Sequence, residues 1–399
     1  MPLAVYLLGL AVFAMGTSEF MLAGILPGIA EDLSVSVPDA GLLISAFAIG
    51  MLVGAPALAL ATIRLPRRAA LTGFLAVFAA AHVLGALVTS YPLLFATRAI
   101  AALSAAGLVA VATVAAMAMV EERLRPRAVA VVVGGLTIAN IAGVPLGTLI
   151  GQHLGWRAAF WAVAALSVLA LTGVAATVPG GRGAGVPSMR AELRAMASPR
   201  LWLTYGTTAL ASGAVIITFG YLSGLLTDVT GVPAAWVPAV LAVFGLGAFI
   251  GITTGGRTAS AHPRATPLAG GAVIVLASLA LATGAAHTWA VVPAVFALGV
   301  GGFLISPPLN VRAYALAGEA RTLAGGTVIA AYNLGNTAAP WLGGLLLTAG
   351  LGHPSTAWAG AALAGLSLLG MAAGFALDGR VATMGDAERV RALSGRPVV

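Results

Sequence analysis

The chain has 399 residues, of which 60% are hydrophobic and 8% charged, and its mean hydropathy is +1.03. A water-soluble domain of this length needs far more charge to cover its surface, so the composition excludes a soluble globular protein. The formal net charge of +8 does not indicate a nucleic-acid partner, because such a patch needs a soluble face. The absence of cysteine excludes disulfides, thiolate metal sites and cysteine nucleophiles.

Apolar runs separated by turn residues or charges follow one another along the whole chain. A helix that crosses a bilayer needs about 20 apolar residues, so each run is long enough to form one span. The runs lie at about 3–26, 39–61, 69–88, 93–118, 128–151, 157–178, 201–227, 234–255, 266–286, 289–310, 323–349 and 354–377. The sequence therefore predicts an all-α polytopic membrane protein with twelve transmembrane helices.

The arginines divide the connections between these spans into two classes. Every arginine except Arg98 and Arg157 lies in an even-numbered connection or in the C-terminal tail. The odd-numbered connections carry acidic residues instead, such as Glu31, Asp32 and Asp228. Under the positive-inside rule, both termini and the central link are predicted to be cytoplasmic.

A polar link in the middle of the chain separates two groups of six spans. We expect an N-terminal half at 1–178, a cytoplasmic link at 179–200, a C-terminal half at 201–377 and a cytoplasmic tail at 378–399. Weak internal symmetry supports the division at a constant offset of 197, where Phe47, Gly50 and Gly54 in span two match Phe244, Gly247 and Gly251 in span eight. Parallel halves of this kind usually enclose a central cavity that binds the substrate.

Glu19 and Arg98 are the ionisable residues, histidines aside, that lie well inside predicted spans. A charge at the bilayer centre costs roughly 2.5–3.5 kcal/mol on insertion scales, so such residues usually face a cavity and have a partner. The predicted span ends place both residues at a similar depth, which allows a pair across the bundle. Burial favours the neutral carboxyl and a nearby arginine favours the carboxylate, so Glu19 is our candidate proton carrier. A static structural pair is the alternative, and for Arg98 a structural role and a coupling role weigh equally.

Span five carries glycines spaced four apart, which places them on one helix face and permits close backbone approach. The stripe includes Gly143, Gly147 and Gly151, with Pro145 between the first two. Tight helix packing explains the spacing. A gating role, in which this smooth face moves or seals against a neighbour, is the functional alternative.

Polar and aromatic residues inside the spans are the candidates for substrate contact. They are Phe20, Asn140, Tyr221, Tyr332, Asn333 and Asn336. Hydrogen bonding between helices explains the three amides at least as well, and lipid or core contact is the favoured explanation for each of the three aromatic residues.

No catalytic constellation is present, so we do not expect an enzyme. The five histidines have no metal-ligand spacing, and we expect no metal and no cofactor. There is no phosphate-binding G-x-x-x-x-G-K-[ST] loop, and indeed no lysine, so ATP does not drive transport within this chain. The energy source is then an ion or substrate gradient.

Three segments resemble the drug:proton antiporter branch of the major facilitator superfamily. Met15–Phe20 reads M-G-T-S-E-F and looks like the G-T-x-E-F signature of span one. Gly143–Gly147 reads G-V-P-L-G, and with Gly155–Trp161 it is similar to the span-five antiporter motif and its G-W-R-x-x-F continuation. Arg98 matches the arginine of the span-four motif. The resemblance extends over the whole chain and looks closest to the chloramphenicol-resistance exporters, with sugar-efflux and arabinose-type relatives next.

Two departures from that pattern stand out. The loop after span two reads A-T-I-R-L-P-R-R at 61–68, where the family has a D-R-x-G-R-R run, so Ile63 and Pro66 replace its Asp and Gly. Ala101 and Ala102 replace the Gln-Gly that follows the span-four arginine. The first departure puts the gating role of that loop in doubt.

The resemblance implies a major facilitator fold of two six-helix halves that works by alternating access, with Glu19 and Arg98 in proton coupling. We expect a monomer in a bacterial inner membrane, with the lipid bilayer, protons and a small drug as its partners and no nucleic acid. The leading hypothesis is proton-coupled efflux of a small amphiphile, with chloramphenicol or a related phenicol as the best single candidate. The alternatives are a sugar or metabolite exporter on the same fold, and a membrane receptor that transports nothing.

Overall fold

The computed structural model describes residues 1–61, 65–180, 198–317 and 321–393. Six predicted spans of the first half are helical, and two of them contain an interruption. The helices run over Leu3–Phe20 and Leu22–Asp32 (span one), Val37–Ala61 (span two), Arg67–Leu87 (span three), Tyr91–Ala118 (span four), Arg125–Ile138 and Val144–Leu154 joined by a π-helical turn at Ala139–Gly143 (span five), and Trp156–Thr177 (span six). The link predicted at 179–200 lies largely outside the described residues.

The second half repeats this arrangement. Its helices run over Pro199–Gly220 and Leu222–Gly224 with a π-helical turn at Leu225–Val229 (span seven), Val237–Thr258 (span eight), Ala265–Thr283 (span nine), Thr288–Leu304 and Ser306–Ala317 (span ten), Arg321–Thr348 (span eleven) and Pro354–Leu393 (span twelve). The prediction of an all-α protein with twelve spans is confirmed.

Within the described residues, 11 of these segments are long and apolar enough to cross a membrane by length and composition. Span eleven is as long as span four, with 28 residues each, but it carries Tyr332, Asn333 and Asn336 along its middle. These polar side chains lower its hydropathy. The helix packs against spans two and seven, so protein surrounds the stretch that suits lipid least.

The two halves pack their spans in the same way, and the offset of 197 reappears in three dimensions. A Cβ added to Gly50 of span two would meet the carbonyl oxygen of Ala99 in span four. A Cβ added to Gly247 of span eight would meet the carbonyl oxygen of Phe296 in span ten, which is the residue 197 positions after Ala99. Glycine at both positions therefore permits the same close approach of two backbones.

Spans one and seven share an interruption at a similar level. Span one is broken at Met21, between Phe20 and Leu22, and span seven at Tyr221, between Gly220 and Leu222. The Met21 amide still donates to the Thr17 carbonyl oxygen, so the break in span one frees only carbonyl groups that follow Thr17, such as that of Ser18. Broken helices of this kind mark substrate and ion sites in many transporters.

Ion pairs show which helix ends share a face. Arg312, Asp378 and Arg200 join the end of span ten, the end of span twelve and the start of span seven, with Arg312 and Asp378 in direct contact. We call the side of the bundle that carries Arg200 and Arg312 the basic face. Asp32 and Arg157 form an ion pair on the opposite face.

The halves are joined toward the opposite face. The Ser45 hydroxyl of span two donates a hydrogen bond to the Thr337 carbonyl of span eleven, at 2.7 Å. The Gln152 amide at the end of span five donates to the Ala234 carbonyl before span eight, at 2.9 Å. Helix Val144–Leu154 also packs along span eight.

Two boundaries differ from the sequence analysis. Span one continues through Pro27 to Asp32 instead of ending near Leu26, so Glu19 lies about midway along it and not in its outer part. The helix of span twelve extends to Leu393, although its apolar stretch suited to cross a membrane, Pro354–Asp378, ends within one residue of the predicted boundary at 377.

Candidate functional site

Three consecutive residues of span one face three different neighbours. Successive residues of an α-helix are about 100° apart, so Ser18, Glu19 and Phe20 cover most of its circumference. Ser18 faces spans three and four, whereas Phe20 packs against Phe219 of span seven with ring centroids 6.4 Å apart. Partly buried Glu19 lies between these directions, next to Phe20, whose ring reaches the C-terminal half.

The remaining side of span one is closed by span five. A Cβ added to Gly143 would overlap Thr17, and Cβ atoms on Gly147 and Gly151 would crowd Met21 and Ile25 respectively. The glycine stripe therefore packs against span one, inside the same half, at every fourth residue of both helices. This is the close approach that the spacing predicts. The gating role of Gly143, Pro145, Gly147 and Gly151 stays a prediction.

Arg98 is 1% exposed and its guanidinium is held on three sides. Nη1 donates to the Ser18 hydroxyl at 2.6 Å, and Nη2 donates to the Ser18 carbonyl oxygen at 2.9 Å. The guanidinium carbon lies 4.5 Å from the ring centroid of Phe47, a distance suited to a cation–π contact. Because the helix is interrupted three residues later, the Ser18 carbonyl is free to accept from a side chain.

A buried histidine continues this arrangement. His82 Nε2 lies 2.7 Å from the Ser18 hydroxyl oxygen, and His82 Nδ1 lies 2.8 Å from the Phe78 carbonyl oxygen. The Arg98 guanidinium has only donors, so the Ser18 oxygen accepts from it and the Ser18 proton points to His82. The consistent assignment is a neutral imidazole with its proton on Nδ1, where the Phe78 carbonyl accepts it.

Glu19 and Arg98 are close but not paired. The Glu19 carboxyl lies within electrostatic range of the guanidinium. Both side chains are described in full, and no nitrogen of Arg98 comes within the 4.0 Å of a Glu19 oxygen that defines an ion pair. The sequence suggests a pair between Glu19 and Arg98. In the structure Arg98 is instead bound to Ser18, the residue before Glu19.

Four phenylalanines form a continuous aromatic array from span one into the C-terminal half. Phe219 stacks on Phe244 of span eight with centroids 4.3 Å apart, and Phe244 meets Phe303 of span ten edge-on at 6.3 Å. Phe20 adds the fourth ring from the N-terminal half. Phe303 also lines a small cavity of about 20 Å³ with Leu136 of span five. The array makes this part of the contact between the two halves apolar and aromatic.

Tyr221, at the break of span seven, is 2% exposed. Its hydroxyl donates to the Pro340 carbonyl oxygen of span eleven at 2.7 Å, and its ring occupies the space that a Cβ on Gly41 of span two would need. Tyr221 therefore belongs to the contact between the halves. Its predicted role in substrate binding stays a prediction.

The other polar candidates lie mainly on span eleven. Asn336 accepts a hydrogen bond from the Ser212 hydroxyl of span seven at 2.6 Å, which is the helix–helix role that the sequence analysis left open. Asn333 donates to the Ile329 carbonyl of its own helix, and Tyr332 packs beside a cluster that includes Tyr205. Asn140 lies on the π-helical turn of span five, and its side chain is outside the described residues.

The sequence analysis missed Ser18 and His82 as parts of the site. His82 is an ionisable residue in the middle of predicted span three, and that position was the available signal. Its contact with Ser18 joins residues 64 positions apart, which no local pattern indicates.

Comparisons with known proteins agree with this architecture. The family model described as Major Facilitator Superfamily matches residues 8–321. The chain is 43% identical to a chloramphenicol resistance protein of Streptomyces lividans, over 92% of this chain and 95% of the relative. It is 34% identical to the inner membrane transport protein YdhP of Escherichia coli (strain K12), over 91% of this chain and 93% of that one.

A solved structure has the same fold at low identity. It is a bacterial homologue of the human lysosomal transporter Spinster, in an inward-facing and unoccupied conformation. The TM-score is 0.68 at 16% identity, and the match covers 94% of both chains.

Proposed function

The chain belongs to the major facilitator superfamily and is a multi-pass membrane transporter, and we propose that it exports a small amphiphilic drug in exchange for protons. The best single candidate for the substrate is chloramphenicol or a related phenicol. The observation that carries the substrate is the identity of 43% with a chloramphenicol resistance protein over nearly the whole of both chains. The position of Glu19 beside Phe20, whose ring contacts Phe219 of the other half, supports the coupling.

Glu19 is the residue on which the exchange depends. It is a partly buried carboxyl beside Phe20, which contacts the other half, and Arg98 is held close without neutralising it directly. A proton that reaches Glu19 from outside removes its charge and favours release of the drug and return to the inward-open state. Loss of that proton to the cytoplasm restores drug affinity, so one site serves proton and drug in turn.

The chemistry of the surface between the halves favours an aromatic or apolar substrate. Phe20, Phe219, Phe244 and Phe303 supply successive rings, and flat ligands gain from offset or edge-on contact with such rings. The Asn336 amide is engaged with Ser212, which leaves fewer amide groups for a substrate rich in hydroxyls. A sugar substrate would need several directed hydrogen bonds and is the less favoured candidate.

The basic face is cytoplasmic in this proposal, because arginine-rich connections remain on the cytoplasmic side of an inner membrane. The chain acts as a monomer there, with both termini inside the cell. The sequence offers a direct test, since it contains no cysteine and every introduced thiol is therefore the sole label. Arg257→Cys should react with a membrane-impermeant maleimide only after cell lysis, whereas Gln152→Cys should react in intact cells.

The experiment that tests the transport itself is an antibiotic panel that includes phenicols. Cells with and without the gene are compared for growth and drug accumulation, each with and without a protonophore. The proposal predicts a raised inhibitory concentration for phenicols and low accumulation that the protonophore abolishes. Resistance that survives the protonophore would remove proton coupling. A panel with no protected drug, together with protection against sugar toxicity, would replace the drug with a sugar. A panel with no effect of any compound would favour a receptor.

A further inference from the structure

We propose that His82 is a positioning residue for proton coupling. As a neutral imidazole it fixes the orientation of the Ser18 hydroxyl. That hydroxyl in turn holds the Arg98 guanidinium near Glu19 without an ion pair between the two. This inference rests on the proposed exchange of drug for protons. It assigns a task to a third helix, span three, which contains neither the proton carrier nor its arginine.

The first step of the argument is the direction of the hydrogen bonds. Arg98 and His82 reach the same Ser18 oxygen, at 2.6 Å and 2.7 Å. The guanidinium can only donate, so the hydroxyl proton must lie toward His82. The His82 ring is itself fixed, because its other nitrogen lies 2.8 Å from the Phe78 carbonyl. The Ser18 hydroxyl and the His82 ring thus have one proton arrangement that satisfies their hydrogen bonds with each other, with Arg98 and with Phe78.

The second step is the rigidity of the surroundings. The His82 ring is 1% exposed and packs between Phe78, with centroids 4.3 Å apart, and Phe160, at 5.8 Å. The Arg98 guanidinium meets Phe47 from span two and, at 6.0 Å, Phe160 from span six. The elements that face Arg98 therefore contribute two titratable side chains among the described residues, His82 from span three and Glu19 from span one. Its hydrogen bonds go to Ser18 and its ring contacts to Phe47 and Phe160.

The third step concerns what Arg98 does when the hydrogen bond between His82 and Ser18 is removed. A hydroxyl that has lost its acceptor can rotate, and it then no longer offers a fixed lone pair to Nη1. Glu19 is the adjacent residue and the nearest alternative acceptor with a full charge. Without His82, we expect Arg98 to turn onto Glu19, where a neighbouring cation favours the carboxylate over the protonated carboxyl. The carrier would then load its proton only at more acidic pH.

The test compares two substitutions at the same position. The His82→Gln side chain can accept from Ser18 with its oxygen and donate to Phe78 with its nitrogen, but it does not titrate. The His82→Leu side chain can do neither. Purified protein in proteoliposomes is assayed for chloramphenicol-driven proton movement between pH 5.5 and 8.5. The matched control is Ser104→Ala, a buried hydroxyl of span four that bonds only to carbonyls of its own helix.

We expect exchange by His82→Gln to stay within about twofold of wild type with an unchanged pH profile. For His82→Leu we expect a loss of roughly tenfold at pH 7.5 and a shift of half-maximal exchange by about one pH unit toward acid. Ser18→Ala should resemble His82→Leu. A protein with both substitutions should lose no more exchange than either single variant, because the two residues act through the same series of hydrogen bonds. Ser104→Ala should match wild type.

Several outcomes overturn the proposal. Equal loss in His82→Gln and His82→Leu would make the imidazole a proton relay, and wild-type behaviour of His82→Leu would deny it any role. Nitrogen NMR of histidine-labelled protein decides the structural claim independently of transport. The proposal requires Nδ1 protonated and Nε2 bare from pH 6 to 8, with the signal assigned by its loss in His82→Gln. An imidazolium signal in that range would refute it. A wild-type protein without drug-driven proton movement would instead refute the proposed function, and the NMR result would still stand.

Discussion

In the N-terminal half, Phe47 packs under the guanidinium of Arg98, whereas Phe244, its counterpart 197 positions later, stacks on the ring of Phe219. The position that corresponds to Arg98 holds Val295, which is completely buried. The glycines that bring the helices together are nevertheless the same in both halves. The backbone packing of the two halves is therefore alike while the side chains at corresponding buried positions differ. The N-terminal half has an ionisable group there, and the C-terminal half has stacked aromatic rings.

This difference suggests a division of labour. In the proposed function, the N-terminal half supplies the groups that bind and release a proton, and the C-terminal half supplies most of the surface that a drug would contact. The two meet at the break in span one, where Glu19 and Phe20 are adjacent. Each of the following substitutions either removes the difference between the halves or tests what they share.

The largest effect is expected when an arginine is introduced into the C-terminal half at the position that corresponds to Arg98. Val295→Arg would bury a guanidinium among apolar side chains with no counterpart of Ser18 to accept its hydrogen bonds. The cost is about 3 kcal/mol by insertion scales, which is a large part of a membrane protein's stability. We expect little monodisperse protein and a greatly lowered melting temperature in detergent. The conservative control is Val295→Leu. A Val295→Arg protein that melts like wild type would contradict the contrast between the interiors.

The next effect tests what the halves have in common. Gly50→Ala and Gly247→Ala each force a methyl group against a carbonyl oxygen of the neighbouring helix, so both should lose about 1–3 kcal/mol of stability. Gly73→Ala and Gly256→Ala are the controls, because no atom lies within 4 Å of an added Cβ at either position. Melting temperatures of the four purified variants decide the matter. A large loss in one half only would show that the packing is not equivalent.

The sequence was sufficient for the helices and insufficient for the contacts between them. Apolar runs of about 20 residues predict all twelve spans, because the bilayer imposes that length whatever the neighbours are. The same run cannot predict the break at Met21 or the continuation of span one through Pro27, since both depend on what packs around the helix. Glu19 and Arg98 were recognisable by the cost of a charge in lipid.

Their actual arrangement could not be foreseen. A hydrogen bond between span one and span three depends on how each helix is rotated about its own axis, and that rotation cannot be predicted from the sequence. For the same reason the amide of Asn336 had two equal explanations until its bond to Ser212 placed it between spans seven and eleven.

A smaller effect is expected in the aromatic interior. Phe219→Ala removes the ring between Phe20 and Phe244, and aromatic pairs contribute about 0.5–1.5 kcal/mol each beyond their area. Chloramphenicol affinity should fall roughly tenfold, while proton movement at saturating drug stays close to wild type. Phe219→Tyr, which keeps the ring, should lose much less. Binding measured by calorimetry and exchange measured in proteoliposomes separate the two halves' tasks. An equal loss of exchange at saturating drug would contradict the separation.

The smallest effect is expected at the opposite face, where the Asp32 carboxylate accepts from Arg157. This hydrogen bond, with a further one from Trp156, lowers the pKa of Asp32 below its ordinary value of 3.8. Stability from the pair is therefore present above that value and is lost as the pH falls through the lowered one. The Asp32 side chain is 45% exposed, so Asp32→Asn should cost no more than about 1 kcal/mol at pH 7. The difference in melting temperature from wild type should shrink as the pH falls, and a difference that grows with acid would contradict the assignment.

The most direct test of the central claim is drug-driven proton movement in proteoliposomes that contain either wild-type protein or Glu19→Gln. Chloramphenicol binding is measured on the same samples, so that loss of coupling is distinguished from loss of the site. We predict that the wild-type protein moves protons against the drug, and that Glu19→Gln, whose neutral side chain mimics the protonated carboxyl, binds the drug with lowered affinity and moves no protons even at saturating drug. A Glu19→Gln protein that exchanges drug for protons with the wild-type pH profile would contradict the account.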